Sequence, residues 1–149
     1  MMMADEVTER AWTMTIVRTH KDLIVWNKSV ALASNIYSIT EGFAHYDRYT
    51  LQAQMRRSAV SVASNIAEGA ARGSRAEYIR FLSIARGSLS ELETQIHIGL
   101  DLNLIDRGSR IDEQVAEIGR LLSALHRRLR EHRERARSFE PARTPLPSH

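Results

Sequence analysis

Arginine is the residue type in this chain with the clearest chemical use. Of 21 basic side chains, 19 are arginine and 2 are lysine. Six of them, Arg56, Arg57, Arg72, Arg75, Arg80 and Arg86, lie between residues 55 and 86 with only Glu68 and Glu77, a local charge of +4. Seven more lie between residues 127 and 143 with three glutamates, again +4. The whole chain carries +3, so everything outside these two blocks sums to −5. A planar guanidinium can donate two parallel hydrogen bonds to a phosphate, which makes a nucleic-acid backbone the natural ligand class. Arg72 and Arg75 flank the expected start of a helix, where free N–H groups and the helix dipole already favour an anion. In the second block, Arg127, Arg128, Arg130 and Arg133 form a basic extension that can hold polyanions without sequence preference, tempered by Glu131 and Glu134. Plainer readings compete: surface ion pairs with Glu77, Glu91 and Glu93, a solvated helix end, or a preference for arginine set by genome composition.

A second set of polar residues has helical spacing. Gln54, Arg57, Ser61, Asn65, Glu68 and Arg72 recur at steps of three and four and share one stripe. Glu68 and Arg72 make an ordinary i, i+4 ion pair, and Gln54 and Asn65 can fix helix register as isolated polar residues do in coiled coils. The alternative uses are a polar groove for phosphate or a protein partner, or a catalytic site. Other chemistry finds little support. There is no cysteine, so no disulfide, thiol nucleophile or thiolate metal site. A carboxylate-bridged di-iron site needs paired Glu-x-x-His motifs, and the nearest approach, Glu93 with His97, is one residue too long and single. No HExxH or glycine-rich phosphate loop occurs. Serine, histidine and aspartate fall at no telling spacing. We expect no enzyme, no metal and no cofactor. Tyr46 and Tyr49 can stack on bases or staple a loop.

The element that must position these residues is one helix over residues 51–72. Leu51, Met55, Ala59, Val62, Ile66 and Ala70 line an apolar stripe centred roughly 125° from the polar one. Small residues Ala53, Val60, Ala63, Ala67 and Ala71 widen the apolar arc, so this helix should touch several neighbours closely. A first helix is expected over 22–40. It carries two stripes, Leu23, Trp26, Val30, Ala33, Tyr37 and Val25, Leu32, Ile36, Ile39, with Gly42 placed to stop it. A short loop covers 41–48. Gly73 closes the second helix, and Ser74 to Glu77 reads as a capping box. The third helix, 75–102, has the cleanest apolar stripe: Tyr78, Leu82, Ala85, Leu89, Leu92, Ile96, Leu100. Ile84, Ser88, Glu91 and Gln95 lie opposite. The fourth starts near Ser109 and steps through Ile111, Val115, Ile118, Leu122, Leu125 and Leu129 at the spacing of left-handed bundle packing.

The pattern predicts an all-α, up-down-up-down four-helix bundle over residues 21–133, forming a symmetric oligomer. A loosely ordered N-terminal tail, 1–20, is expected before it, in which Trp12, Ile16 and Val17 can dock. A disordered basic tail over 134–149 with Pro141, Pro145 and Pro147 follows. At 149 residues and 43% hydrophobic residues the chain is one ordinary globular domain. No apolar run approaches the roughly 20 residues of a membrane span. The N-terminus lacks the apolar segment of a signal peptide, so the expected location is the cytoplasm.

Leu23-Ile24-Val25-Trp26, Ile36-Tyr37-Ser38-Ile39-Thr40, the run over 49–61 and Ser64-Asn65-Ile66-Ala67-Glu68-Gly69 make a recognisable pattern. Arg72, Ser74, Glu77, Phe81-Leu82, Ile84-Ala85-Arg86-Gly87-Ser88-Leu89 and Glu91-Leu92-Glu93-Thr94-Gln95 continue it. Across residues 22–104 the chain resembles the small four-helix proteins encoded by intervening sequences within bacterial large-subunit ribosomal RNA genes. Their fold group includes the accessory protein of diversity-generating retroelements. The chain departs at Ala44, where the family usually has proline, and at Thr50, where it usually has glycine. Both bear on the first loop. The arginine-rich C-terminal extension lies outside the pattern. The resemblance implies a homopentamer with a basic surface that binds structured RNA or DNA, in some members beside a reverse transcriptase. Together with the arginine blocks, the expected function is non-enzymatic nucleic-acid binding. The alternative is a scaffold whose partner is another protein.

Overall fold

The computed structural model describes residues 20 and 23–139, the side chains at 48 and 49 excepted. Four long helices and no strand occur among the described residues: α1 (Ile24–Thr40), α2 (Ala53–Ala71), α3 (Arg75–Asp101) and α4 (Ile111–Ser138). The expected dockers Trp12, Ile16 and Val17, the helix start at residue 22, the side chain of Tyr49 and the prolines beyond 140 lie outside the described residues.

Each helix buries the stripe its spacing dictates. Val25, Leu32 and Ile36 of α1 meet Met55, Ala59, Val62 and Ile66 of α2, and Leu82, Ala85, Leu92 and Ile96 of α3. Val115, Ile118 and Leu122 of α4 complete the same core. α1 packs against α2 and α4, and α3 packs against α2 and α4. Lys28 pairs with Glu117 at 2.8 Å, and Asn35 donates to Gln114 at 2.9 Å, tying α1 to α4.

The ends of the helices show where local chemistry differs from expectation. Gly42 does not take the left-handed conformation expected of it; Gly73 does, with φ of 70°. The C-terminus of α1 is closed instead by the backbone N–H of Phe43, which donates to the Thr40 carbonyl at 3.2 Å, and by two side chains from the segment that leads into and begins α2. Gln52 is buried and its amide donates to the Thr40 carbonyl. Arg56 donates from Nε to Thr40 Oγ1 at 3.0 Å and from Nη2 to the Tyr37 carbonyl at 3.2 Å. Carbonyls that a helix end leaves without partners are thereby satisfied. The expected loop over 41–48 contains a helical turn, His45–Asp47, and a π-helical turn, Arg48–Gln52, leads into α2. Thr50 is part of the reason: its hydroxyl donates back to the Tyr46 carbonyl at 3.3 Å, holding a turn that glycine would leave loose.

Ser74 caps α3 by accepting from the Glu77 N–H at 3.4 Å, which is the expected half of the capping box. α2 and α3 approach closely where Gly69 faces Phe81; a methyl group on Gly69 would lie 2.8 Å from Phe81 Cβ. α4 continues through Ser138, past the bundle edge expected at 133 and into the segment expected to be disordered. Its last turns hold an i, i+4 pair, Arg130 with Glu134 at 3.9 Å, and Arg135 and Arg137 oppose the negative end of the dipole.

Candidate nucleic-acid interface

The two arginine blocks divide by what each side chain already holds. Arg56 braces the end of α1, as above, and its guanidinium lies over the Tyr37 ring at 4.4 Å from the centroid. Arg72 pairs with Glu68 at 2.6 Å and Arg80 with Glu77 at 3.5 Å. Both guanidinium groups also sit over Phe81, at 5.0 Å and 5.5 Å. The charge of these two is therefore largely matched within their own helix turns, as the plainer reading expects. Arg75 is half-buried at the start of α3. Arg57 and Arg86 are exposed, and no carboxylate pairs with either among the described residues.

In the second block Arg127 and Arg128 are exposed and without a carboxylate partner in the described residues. Arg130 is the pair of Glu134, and Arg133 is half-buried. Sequence distance hides how close the blocks come. Arg86 of α3 and Arg127 of α4 line the same cleft, together with Arg120, which sequence reasoning missed. Arg120 lies outside both basic blocks; its i+7 relation to Arg127 was the signal that places the two on one helix face. His126 stands at the edge of this region, with its Nε2 3.1 Å from Ser83 Oγ. Burial lowers its pKa, and the positive charges of Arg86 and Arg130 lower it further.

The polar stripe of α2 splits into parts. Ser61 Oγ and Ser88 Oγ of α3 share a hydrogen bond of 2.8 Å. Asn65 donates its amide to the Ser61 carbonyl at 2.8 Å and to Ser61 Oγ at 3.0 Å. Ser58, buried in the same seam, donates to Glu91 at 3.5 Å. Gln54 is exposed and apart from this network, while Glu68 serves Arg72. Of the stripe, only Ser61 and Asn65 belong to the network between α2 and α3; Gln54, expected to fix register with Asn65, takes no part in it. Ser88 and Glu91, read from sequence as the outer side of α3, face α2 instead. Farther along their stripe, Gln95 Oε1 is buried with no hydrogen-bond partner among the described residues. Tyr78 packs beside Gly69, and burial pushes its phenol up to about 12. Tyr46 is exposed in the first loop.

No group of three or more metal-ligating side chains converges among the described residues. No described helix is long and apolar enough to cross a membrane.

Among solved structures, the chain is similar to a protein of unknown function from the S23 ribosomal protein family of Bacteroides thetaiotaomicron. The two are 26% identical over 70% of this chain and 96% of that one, with a TM-score of 0.65. No curated protein matches. The family model described as 23S rRNA-intervening sequence protein matches residues 21–124, which takes in all of α1, α2 and α3 and half of α4. By that match the chain belongs to the 23S rRNA-intervening sequence protein family.

Proposed function

We propose that this protein is a non-enzymatic, oligomeric four-helix bundle that binds structured RNA or DNA through its arginines. The observation that carries this reading is that several exposed arginines have no carboxylate partner among the described residues, among them Arg57, Arg86, Arg120, Arg127 and Arg128. A surface built only for solubility pairs its charges or mixes their signs. Unpaired guanidinium groups keep their donors available for phosphate.

An up-down-up-down course is supported by the cross-helix bonds. Between α2 and α3, Ser58 meets Glu91 and Ser61 meets Ser88, so numbers rise on one helix as they fall on the other. Between α1 and α4, Lys28 meets Glu117 and Asn35 meets Gln114 in the same sense. Assembly of several copies, with five as the family resemblance implies, is supported by the outer stripe of α1. Trp26, Val30, Ala33 and Tyr37 form an open apolar cleft with Val60, Ala63 and Ala67 of α2. Soluble monomers seldom leave such a face uncovered. We place the protein's work in the cytoplasm, where structured RNA and a reverse-transcriptase-like partner would be available.

The same apolar cleft favours a second reading, a scaffold for another protein with nucleic acid irrelevant. A titration of the full chain against a labelled RNA stem-loop and a duplex DNA at about 0.05 M salt separates the two, since phosphate contacts are strongest at low salt. Binding of either nucleic acid is the expected result. Failure of both to bind would remove the nucleic-acid reading and leave the scaffold.

A further inference from the structure

The cleft between α3 and α4 joins arginines that the sequence keeps far apart. Its volume is about 670 Å³. Arg86 stands on the α3 wall, and Arg120 and Arg127 on the α4 wall; Glu93 is the one acidic residue lining it. The rest of the lining is small or neutral, including Ser90, Ala116, Gly119 and Ser123. Leu89 and Val115, both buried, also line the cleft, and a methyl group at Gly119 would meet Leu89 at 3.6 Å in ordinary contact, whereas Arg86, Arg120 and Arg127 are exposed. None of the three arginines pairs with a carboxylate among the described residues.

We infer that this α3–α4 cleft is the phosphodiester-binding site, with Arg86, Arg120 and Arg127 contacting successive phosphates of one nucleic-acid strand. Spacing supports the match. Seven helical residues separate Arg120 from Arg127, roughly 10 Å along the axis. That separation lets the two guanidinium groups reach different phosphates of one strand instead of sharing a single one. Arg86 faces them from the opposite wall, so the strand is held between two rims. The positive field is felt by a neighbouring group as well: Arg86 and Arg130 both disfavour protonation of His126. The two basic blocks act as one site, completed by an arginine that belongs to neither.

This inference rests on the nucleic-acid reading, and its test is built so that the two fail separately. The full-length wild type is compared with the triple variant Arg86→Gln, Arg120→Gln, Arg127→Gln. A control triple, Lys28→Gln, Arg107→Gln, Arg110→Gln, loses the same formal charge from residues outside both basic blocks and outside the cleft, Lys28 and Arg110 being paired with Glu117 and Glu113. Affinity for a labelled RNA stem-loop is read at about 0.1 M salt, and thermal melts check that each variant is folded. The cleft triple should bind at least about tenfold more weakly and the control within about threefold of wild type, because three phosphate contacts vanish in one and none in the other. Glu93→Gln, which removes the one negative charge of the lining, should tighten binding. If the cleft triple binds like wild type, or the control weakens equally, the cleft is not the site although nucleic-acid binding stands. If wild type itself does not bind, the nucleic-acid reading fails and the cleft falls with it.

Discussion

Single arginines here do different jobs according to what lies within reach of the guanidinium. Arg56 and Arg57 are adjacent, yet one braces Thr40 and the Tyr37 carbonyl while the other is exposed with no carboxylate partner among the described residues. Arg56→Gln should therefore lower stability by roughly 1–2 kcal/mol, the scale of lost charge-assisted hydrogen bonds. Arg57→Gln should stay within about 0.5 kcal/mol, as surface changes do. Denaturant melts of the two variants check this, and equal effects would remove the bracing role of Arg56. Tyr78 gives a prediction in pH. Its phenol ionises near 10 when unfolded and is pushed up to about 12 by burial, so the native state keeps a proton that the unfolded state releases. Its contribution is fully present below pH 10 and is lost as pH rises towards 12, up to about 2–3 kcal/mol. Tyr78→Phe should flatten that alkaline decline in a melt series; an unchanged decline would place its cause elsewhere.

At the scale of the helix, contact between α2 and α3 depends on the absence of a side chain at Gly69. Phe81 Cβ lies 2.8 Å from where a methyl group would stand, and it is anchored at the backbone. Gly69→Ala should cost roughly 1–3 kcal/mol through overpacking, despite the better helix propensity of alanine. A Gly69→Ala protein as stable as wild type would mean the two helices separate freely there. The helices themselves were legible in the sequence because apolar residues recur with helical period. The α3 and α4 stripes are buried as their spacing requires: Leu82, Leu92 and Ile96 in one, Ile118 and Leu122 in the other. What spacing does not carry is partnership between helices. Ser88 reads as an outward polar residue until Ser61 is placed opposite it. Gly42 reads as a stop signal until Gln52 and Arg56 reach back to close α1. Arg120 looks like an isolated charge until folding brings it beside Arg86. Periodicity reports which face of a helix is apolar, and only the fold reports what that face meets.

For the whole molecule, two surfaces matter. The apolar α1–α2 cleft faces away from the core, and the basic α3–α4 cleft lies between the other pair of helices. A bundle that assembles through the first keeps the second available, and repetition around a symmetry axis multiplies weak phosphate contacts into avid binding. Light scattering at micromolar concentration should find an oligomer, and Tyr37→Glu with Val60→Glu should reduce it to monomer by burying charge in the interface. A wild-type monomer would show that the apolar cleft serves another partner. The nucleic-acid claim is tested most directly by the affinity of the full chain for an RNA stem-loop across a salt series. Arginine–phosphate contact predicts a straight fall of log affinity against log salt, with a slope of about −2.7 or steeper for three or more contacts. An affinity that does not change with salt, or no binding at the lowest salt, would contradict it.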